Sequence, residues 1–156
     1  MSISRVHHWL LLGVLFSLAS CSQGHKGPEI KKYPVTPVKG SVMIDGEPQA
    51  GVIIRCIPTG AFDYPGLSPE TLGATTNEQG QYTLGTYEPA DGVPAGEYAL
   101  TFIWPTRSLR PSTRDGAELK NDRLKGKYAK AKGSPLKITV EEGSPQEVDP
   151  VELKTK

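Results

Sequence analysis

The amino-acid sequence predicts an all-β fold, a seven-stranded Greek-key β-sandwich. Short runs of alternating apolar and polar residues follow one another from residue 38 onward, separated by turn signals at regular intervals. Glycine and proline number 17 and 14 among 156 residues, and both destabilise helix interiors, which disfavours a helical bundle. A hydrophobic content of 37% is enough for a packed core and argues against a fully disordered chain.

Each predicted strand is one of these alternating runs. The first run, 38–44, is followed by Asp45-Gly46, a pair typical of a tight hairpin turn. The fifth, 97–104, has large apolar side chains along one face, and we expect its Tyr98 to return its hydroxyl to a nearby backbone carbonyl. The seven predicted strands are 38–44, 52–57, 71–76, 81–87, 97–104, 136–140 and 147–153.

The first 20 residues have the composition of a signal peptide. Arg5 precedes an apolar run that is too short to cross a hydrocarbon core of about 30 Å comfortably. The run ends in Leu-Ala-Ser-Cys at residues 18–21, which resembles the lipobox of bacterial lipoproteins at every position. The resemblance implies cleavage before Cys21, a diacylglyceryl group on its thiol and a palmitate-type acyl chain on its new amine. The alternatives are a secreted protein cleaved elsewhere and a single-span anchor.

The segment after Cys21 is predicted to be a flexible tether. Prolines and glycines interrupt residues 21–37, and the apolar residues there show no period. Lipidation of Cys21 would make the membrane itself the first partner, since two or three acyl chains give stable attachment. Ser22 is not the aspartate that commonly signals inner-membrane retention, so the outer membrane is favoured, with the domain in the periplasm or at the cell surface.

Several short motifs resemble the carboxypeptidase regulatory-like domain, a transthyretin-like (prealbumin-type, Ig-like) β-sandwich. Their order and spacing cover the predicted domain, 38–153, and the whole layout is similar to small bacterial envelope lipoproteins. The sequence departs from the family at Asn77, where aspartate is common, and in an insertion around 105–133. The motifs are Val38-x-Gly40-x-Val42, Asp45-Gly46-Glu47-Pro48, Gly51-Val52, Thr76-Asn77-Glu78-x-Gly80-x-Tyr82 and Pro94-Ala95-Gly96-Glu97-Tyr98.

The residue types needed for common catalytic sites are scarce, and the sequence predicts a protein that is not an enzyme. After cleavage the only histidine is His25 in the tether, which argues against a catalytic triad or a histidine-based metal site in the domain. The transthyretin-like fold includes hydroxyisourate hydrolases, but those depend on histidines and on a C-terminal tyrosine–serine motif, whereas this chain ends at Lys156 in Leu-Lys-Thr-Lys. No cofactor and no metal are expected.

A basic stretch in the insertion is the clearest candidate for binding. Residues 105–133 carry nine basic and three acidic side chains and are predicted to contact an envelope protein or a polyanion; the alternative is a long, mobile, solvated loop. Aromatic residues are too few for specific nucleic-acid binding. The candidate binding residues are Trp104, Tyr87, Arg107, Arg110, Arg114, Lys125, Lys127 and Tyr128.

The function predicted from these features is that of a non-enzymatic, membrane-anchored lipoprotein. Its β-sandwich would serve as an adhesion, scaffold or partner-binding module of the cell envelope. The alternative is a small-ligand module that binds carbohydrate, with Trp104 and neighbouring tyrosines as a stacking platform.

Overall fold

The computed structural model describes residues 31–106 and 121–156, and these ranges form a two-sheet β-sandwich. Two single-turn 3-10 helices, Pro69–Thr71 and Ala131–Gly133, lie between strands. In this part of the chain no helix is long and apolar enough to span a membrane. The strands are β1 (Val38–Ile44), β2 (Glu47–Pro48), β3 (Ile53–Pro58), β4 (Gly73–Thr75), β5 (Gln81–Thr83), β6 (Gly96–Ile103), β7 (Leu136–Val140), β8 (Gln146–Glu147) and β9 (Val151–Leu153).

The first sheet is built around β1, which pairs with four other strands. β2 and β5 are antiparallel to β1, whereas β8 and β9 are parallel to it. The turn from β1 to β2 consists of Asp45 and Gly46, both with positive φ (53° and 89°), as in a type I′ hairpin. The second sheet has the order β4-β3-β6-β7 with every pair antiparallel, and β3 and β6 make its longest pairing.

The core lies between the two sheets and is filled by alternate side chains of the longer strands. On β1 the inward positions are Val38, Val42 and Ile44, each at most 2% exposed. Position 40 between them is glycine, because the ring of Tyr82 from β5 lies over it and a Cβ there would overlap the tyrosine hydroxyl. The side chains of β1 that the alternation in the sequence predicts to face inward are therefore the ones buried in the core.

Tyr98 has the role expected from the sequence. Its ring is 1% exposed, and its hydroxyl donates a hydrogen bond of 2.9 Å to the carbonyl of Pro94, four residues earlier in the chain. Because the acceptor is also buried, the bond fixes the start of β6 against the preceding loop.

The predicted fold class, an all-β sandwich, is confirmed, and the differences concern individual strands. The fourth predicted strand, 81–87, ends at Thr83, because the carboxylate of Asp91 accepts backbone hydrogen bonds from residues 86–88 and folds them into a loop. The seventh, 147–153, is divided into β8 and β9 around Pro150, which has no N–H to donate to a ladder.

The contacts of the domain begin before the predicted boundary at residue 38. Thr36 is 1% exposed and exchanges two backbone hydrogen bonds with Val93, of 2.8 and 3.0 Å. The backbone N–H of Tyr33 donates to the hydroxyl of Tyr87 at 2.8 Å. The last five residues of the predicted tether, 33–37, are thus docked on the sandwich, while Cys21 and residues 22–30 lie outside the described residues.

Candidate functional site

The second half of the insertion, residues 121–134, is called here the basic segment, and it is held by one buried carboxylate. Asp122 is 8% exposed and accepts three backbone hydrogen bonds: from Trp104 at 2.8 Å, Leu124 at 2.9 Å and Gly126 at 2.8 Å. Hydrogen bonds to an ionised acceptor are stronger than neutral ones, and three on one side chain fix the turn around it.

Further bonds attach the basic segment to the edge of β6 beyond the end of β7. The N–H of Arg123 donates to the carbonyl of Trp104 at 2.9 Å, and the N–H of Phe102 donates to the carbonyl of Tyr128 at 2.9 Å. Leu124 is 1% exposed and belongs to the core. Residues 121–134 are therefore a series of turns that hydrogen bonds attach to β6 and to Asp122. Arg107, Arg110 and Arg114 lie outside the described residues.

Arg123 and Trp104 are stacked on each other at one end of β6. The guanidinium carbon lies 4.4 Å from the centroid of the indole ring. Trp104 is half-buried and packs against the core, whereas Arg123 is exposed. A cation–π contact does not itself use an N–H donor, so the N–H groups of Arg123 are not consumed by the ring.

A groove of about 560 Å³ opens next to this pair, on the side of β3 and β4. Such a volume falls in the usual range for small-ligand sites, roughly 300–1,000 Å³. Its floor includes Ile53 and Ala74, Trp104 and Arg123 flank one end, and Glu70 lies toward the other. The described residues that line it are Gln49, Ala50, Gly51, Ile53, Ile54, Arg55, Glu70, Thr71, Leu72, Gly73, Ala74, Thr75, Trp104, Pro105, Thr106 and Arg123.

The remaining side chains of the basic segment point into solvent. Lys127 lies 5.2 Å from the ring centroid of Tyr128 and donates a hydrogen bond to the backbone carbonyl of Lys156, and Tyr128 accepts one from the N–H of Lys154 at 3.1 Å. Within the described parts of the chain, no aspartate or glutamate side chain lies in salt-bridge range of a cation of this segment, although Lys127 has the oxygen of Lys156, the last residue, 3.2 Å from its Nζ. Five exposed cations stand together there: Arg123, Lys125, Lys127, Lys130 and Lys132.

Tyr87 belongs to a different site. It lies at the end of the sandwich where the chain enters, with Lys32 Nζ 5.6 Å from its ring centroid and the N–H of Tyr33 on its hydroxyl. The loop 58–70 is at the same end, since Tyr64 donates to the carbonyl of Ala95 just before β6. Trp104 follows the other end of β6. The structure brings Trp104, Lys125, Lys127 and Tyr128 together and places Tyr87 apart from them.

Two residues of the site were missed by sequence reasoning as individual candidates. Arg123 was one of nine basic side chains with nothing to distinguish it, and Asp122 was counted only as an acid that reduces the local charge. The available signal was Asp122 followed four residues later by Gly126, because an aspartate that opens a tight turn commonly binds the backbone N–H groups after it.

Metal and thiol chemistry find no support in the described residues. No group of three or more histidine, cysteine, aspartate or glutamate side chains there is placed to hold a metal ion. Cys56 is fully buried in the core, and burial raises the pKa of its thiol to about 12. The thiol is therefore neither ionised nor accessible near neutral pH.

Comparison with known proteins gives similarities of fold alone. No family model matches the chain, and no curated protein matches it in sequence. It is similar to the structure of Klebsiella pneumoniae 5-hydroxyisourate hydrolase, with 17% identity and a TM-score of 0.38 over 78% of this chain and 91% of that one. It is also similar to a DUF3823 family protein from Parabacteroides merdae, with 19% identity and a TM-score of 0.38 over 76% of this chain. The chain spans 45% of that second protein.

One expectation is corrected by these comparisons. The prediction that the protein is not an enzyme is contradicted, because a structure similar to this one belongs to a hydrolase. Catalysis had been excluded because the domain lacks the histidines that common catalytic sites need. At 17% identity, however, the similarity assigns no activity to this chain.

Proposed function

We propose that this protein is a lipid-anchored module of the bacterial cell envelope that binds an anionic partner through the basic segment. The observation that carries the proposal is the anchored turn: Asp122 fixes a backbone that displays five exposed cations, none of them in salt-bridge range of an aspartate or glutamate side chain of the described chain. A solvated basic loop needs no such anchor. A rigid display of cations loses little conformational entropy when it binds a polyanion.

Electrostatics favours a partner with several negative charges over one with a single charge. Each cation that pairs with a charge of a polyanion releases a condensed counterion, so affinity falls steeply with salt. The described part of the basic segment offers five cations, while its one acid, Asp122, is occupied by three backbone donors. The segment therefore acts as a local positive patch although the whole chain has a formal charge of only +1.

A binding experiment tests this role. Dextran sulfate, a simple polyanion, is titrated onto the protein at several salt concentrations. The double variant Lys125→Gln/Lys127→Gln should bind at least about tenfold more weakly at low salt, with a slope of log affinity against log salt reduced by up to about two. The matched control, Lys32→Gln/Lys39→Gln, removes the same charge at the other end of the molecule and should change affinity less than about threefold. Equal losses in the two double variants would refute the role of the segment.

The anchor is proposed from the signal-peptide pattern and Cys21. Acyl chains on Cys21 would hold the domain at a membrane, with the outer membrane favoured by Ser22. Cys21→Ala should abolish acylation and release the protein from membranes in cell fractionation. Retention of the Cys21→Ala protein in the membrane fraction, still cleaved, would exclude lipidation as the anchor.

The alternative, a small-ligand module that binds carbohydrate, is supported by the groove beside Trp104. Its volume of about 560 Å³ accommodates a sugar ring, and its lining combines apolar and hydroxyl-bearing side chains. A neutral oligosaccharide that binds wild-type protein and not Trp104→Ala, independently of salt, would favour this function over polyanion binding.

A further inference from the structure

The groove and the basic segment are adjacent, and Arg123 belongs to both. A chain molecule could therefore place one unit in the groove and its neighbours along the cations. Resting on the anionic-partner function above, we propose that the partner is an acidic polysaccharide, one uronic acid residue of which occupies the groove with its carboxylate on Arg123.

The first argument is the state of the Arg123 guanidinium. The guanidinium carbon lies 4.4 Å from the centroid of the indole ring of Trp104, and no hydrogen bond or ion pair uses the guanidinium N–H groups within the described chain. An arginine fixed by stacking has already lost most of its rotamer freedom, so it receives a carboxylate in a bidentate pair at low entropic cost. Trp104 is thus a positioning residue for the anion-binding group.

The second argument is the character of the groove, which changes along its length. Thr75 and Thr106 are exposed hydroxyl-bearing residues on its lining, Ile53 on the same face as Thr75 provides an apolar contact, and Glu70 lies toward the end away from Arg123. A uronic acid has the matching polarity: a carboxylate on one side, hydroxyl donors for a glutamate on the other, and apolar C–H groups between them. A fatty acid would leave the hydroxyls unpaired, and a neutral sugar would leave Arg123 unpaired.

The third argument concerns the source of the negative charge, because anionic lipid headgroups could also attract the cations. The groove opens at the end of β6 opposite the docked residues 33–37, and eight residues of strand span about 26 Å. The end where the chain enters carries the exposed lysines Lys31, Lys32 and Lys39 together with a larger number of exposed acidic side chains: Asp63, Glu88, Glu97, Glu141 and Glu142. Because acids outnumber lysines there, an anionic surface is attracted less by that end than by the basic segment, and the test below includes anionic vesicles to separate the two sources of charge.

Trp104 supplies the reporter for the test. The chain has two tryptophans, and the proposed cleavage before Cys21 removes Trp9, so the mature protein, extracted from membranes in detergent, carries Trp104 as its one tryptophan. Three probes are compared: short oligogalacturonates, the methyl esters of the same oligomers, and vesicles rich in phosphatidylglycerol. The acidic oligomers should change the Trp104 emission saturably and bind at least about tenfold more tightly than their esters, because esterification removes the charge that Arg123 pairs with.

Variants of Arg123 separate pairing from general attraction. Arg123→Gln should weaken oligogalacturonate binding at least about tenfold, and Arg123→Lys should restore only part of it, since an ammonium cannot form the bidentate pair. Lys39→Gln, a loss of the same charge on β1, should bind within about twofold of the parent protein. Equal binding of acid and ester, or an unchanged Trp104 emission at saturation, would overturn the proposal. So would a Trp104 emission that changes with phosphatidylglycerol vesicles, and not with neutral vesicles or with the oligomers.

The same titrations distinguish this inference from the function on which it rests. If oligogalacturonate leaves Trp104 unaffected while dextran sulfate still requires Lys125 and Lys127, the anionic-partner function stands and the uronic acid site fails. If the Lys125→Gln/Lys127→Gln protein binds dextran sulfate as tightly as the parent protein, the proposed binding of an anionic partner through the basic segment is refuted. Thermal unfolding of each variant checks that exposed Arg123 was replaced without loss of the fold.

Discussion

Replacing Asp122 tests whether one carboxylate anchors the basic segment. Asp122→Ala removes three charge-assisted hydrogen bonds and leaves the N–H groups of Trp104, Leu124 and Gly126 without this acceptor. A hydrogen bond to a charged group contributes about 1.5–3 kcal/mol, and such contributions are not additive within one turn. Because water can replace the acceptor for the more exposed donors, we expect a loss of about 3–4 kcal/mol in the free energy of unfolding.

Asp122→Asn should have a smaller effect. One oxygen of Asp122 accepts from Trp104 and Leu124 and the other from Gly126, so an asparagine can keep the first pair. Its amide nitrogen would then face the N–H of Gly126, which converts an attraction into a donor–donor contact. A loss of about 1.5–2 kcal/mol follows, between the alanine variant and the parent protein.

Thermal and urea unfolding, followed by circular dichroism and Trp104 fluorescence, measure these losses. A change of 1 kcal/mol shifts the midpoint by roughly 3–5 °C in a domain of this size, so the alanine variant should melt about 10–20 °C lower. Asp91→Ala is the matched control, since Asp91 also accepts three backbone bonds, at the other end of the sandwich. It should destabilise the fold without altering native Trp104 emission. A loss below 1 kcal/mol for Asp122→Ala would refute the anchoring role.

Three further predictions concern the core and are checked on purified protein. Gly40→Ala should destabilise the fold by about 1–3 kcal/mol in urea unfolding, because the new methyl overlaps Tyr82; an unchanged stability would show that the ring can move aside. Tyr98→Phe should lower the free energy of unfolding by about 1–2 kcal/mol, since its buried backbone acceptor loses its donor, and an unchanged stability would contradict a stabilising role for this bond. In a Cys21→Ser protein, Cys56 should resist a thiol reagent at pH 8 until the chain unfolds. Because burial raises the pKa of Cys56 from 9.0 to about 12, stability should fall as the pH rises from about 9 to about 12, and Cys56→Ala should remove this contribution.

The sandwich could be predicted because its strands and turns are indicated by patterns within short stretches of sequence. Alternation over 38–44 and 97–104 reports which side chains face the core, and Asp45-Gly46 reports a turn whose two residues need positive φ. These patterns can be recognised without knowing which strands pair, so the predicted limits of β1, β3 and β6 lie within one residue of those in the structure. The short strands β2 and β8 carry too few residues for any period to show.

The docking of residues 33–37 depended on partners far along the chain. The side chain of Thr36 donates to the carbonyl of Glu141 and accepts from the N–H of Gly143, more than 100 residues away in sequence. A proline-rich segment gives the same local signal whether it is free or docked, because proline restricts φ in both states. The local sequence therefore gave no sign that residues 33–37 contact the sandwich.

The candidate site was predicted in composition and not in arrangement. The net positive charge of residues 105–133 identifies the segment as basic, but every basic residue contributes equally to it, so it does not distinguish Arg123 from its neighbours. Tyr87 and Trp104 were grouped because both are aromatic and follow predicted strands, whereas the fold sends those strand ends in opposite directions. Arg123 contacts the ring of Trp104 because Asp122 binds the backbone on both sides of the contact, and a count of charges does not predict this arrangement.

The docked N-terminal segment also has a mechanical consequence. Tension applied at the N-terminus reaches Thr36 before it reaches β1, and Thr36 is joined by backbone bonds to Val93 and by its side chain to the 141–143 loop. A pull is therefore shared among several bonds that must break together, instead of opening the β1 ladder one rung at a time. Forced unfolding in a single-molecule experiment should accordingly show a higher rupture force for the parent protein than for Thr36→Val.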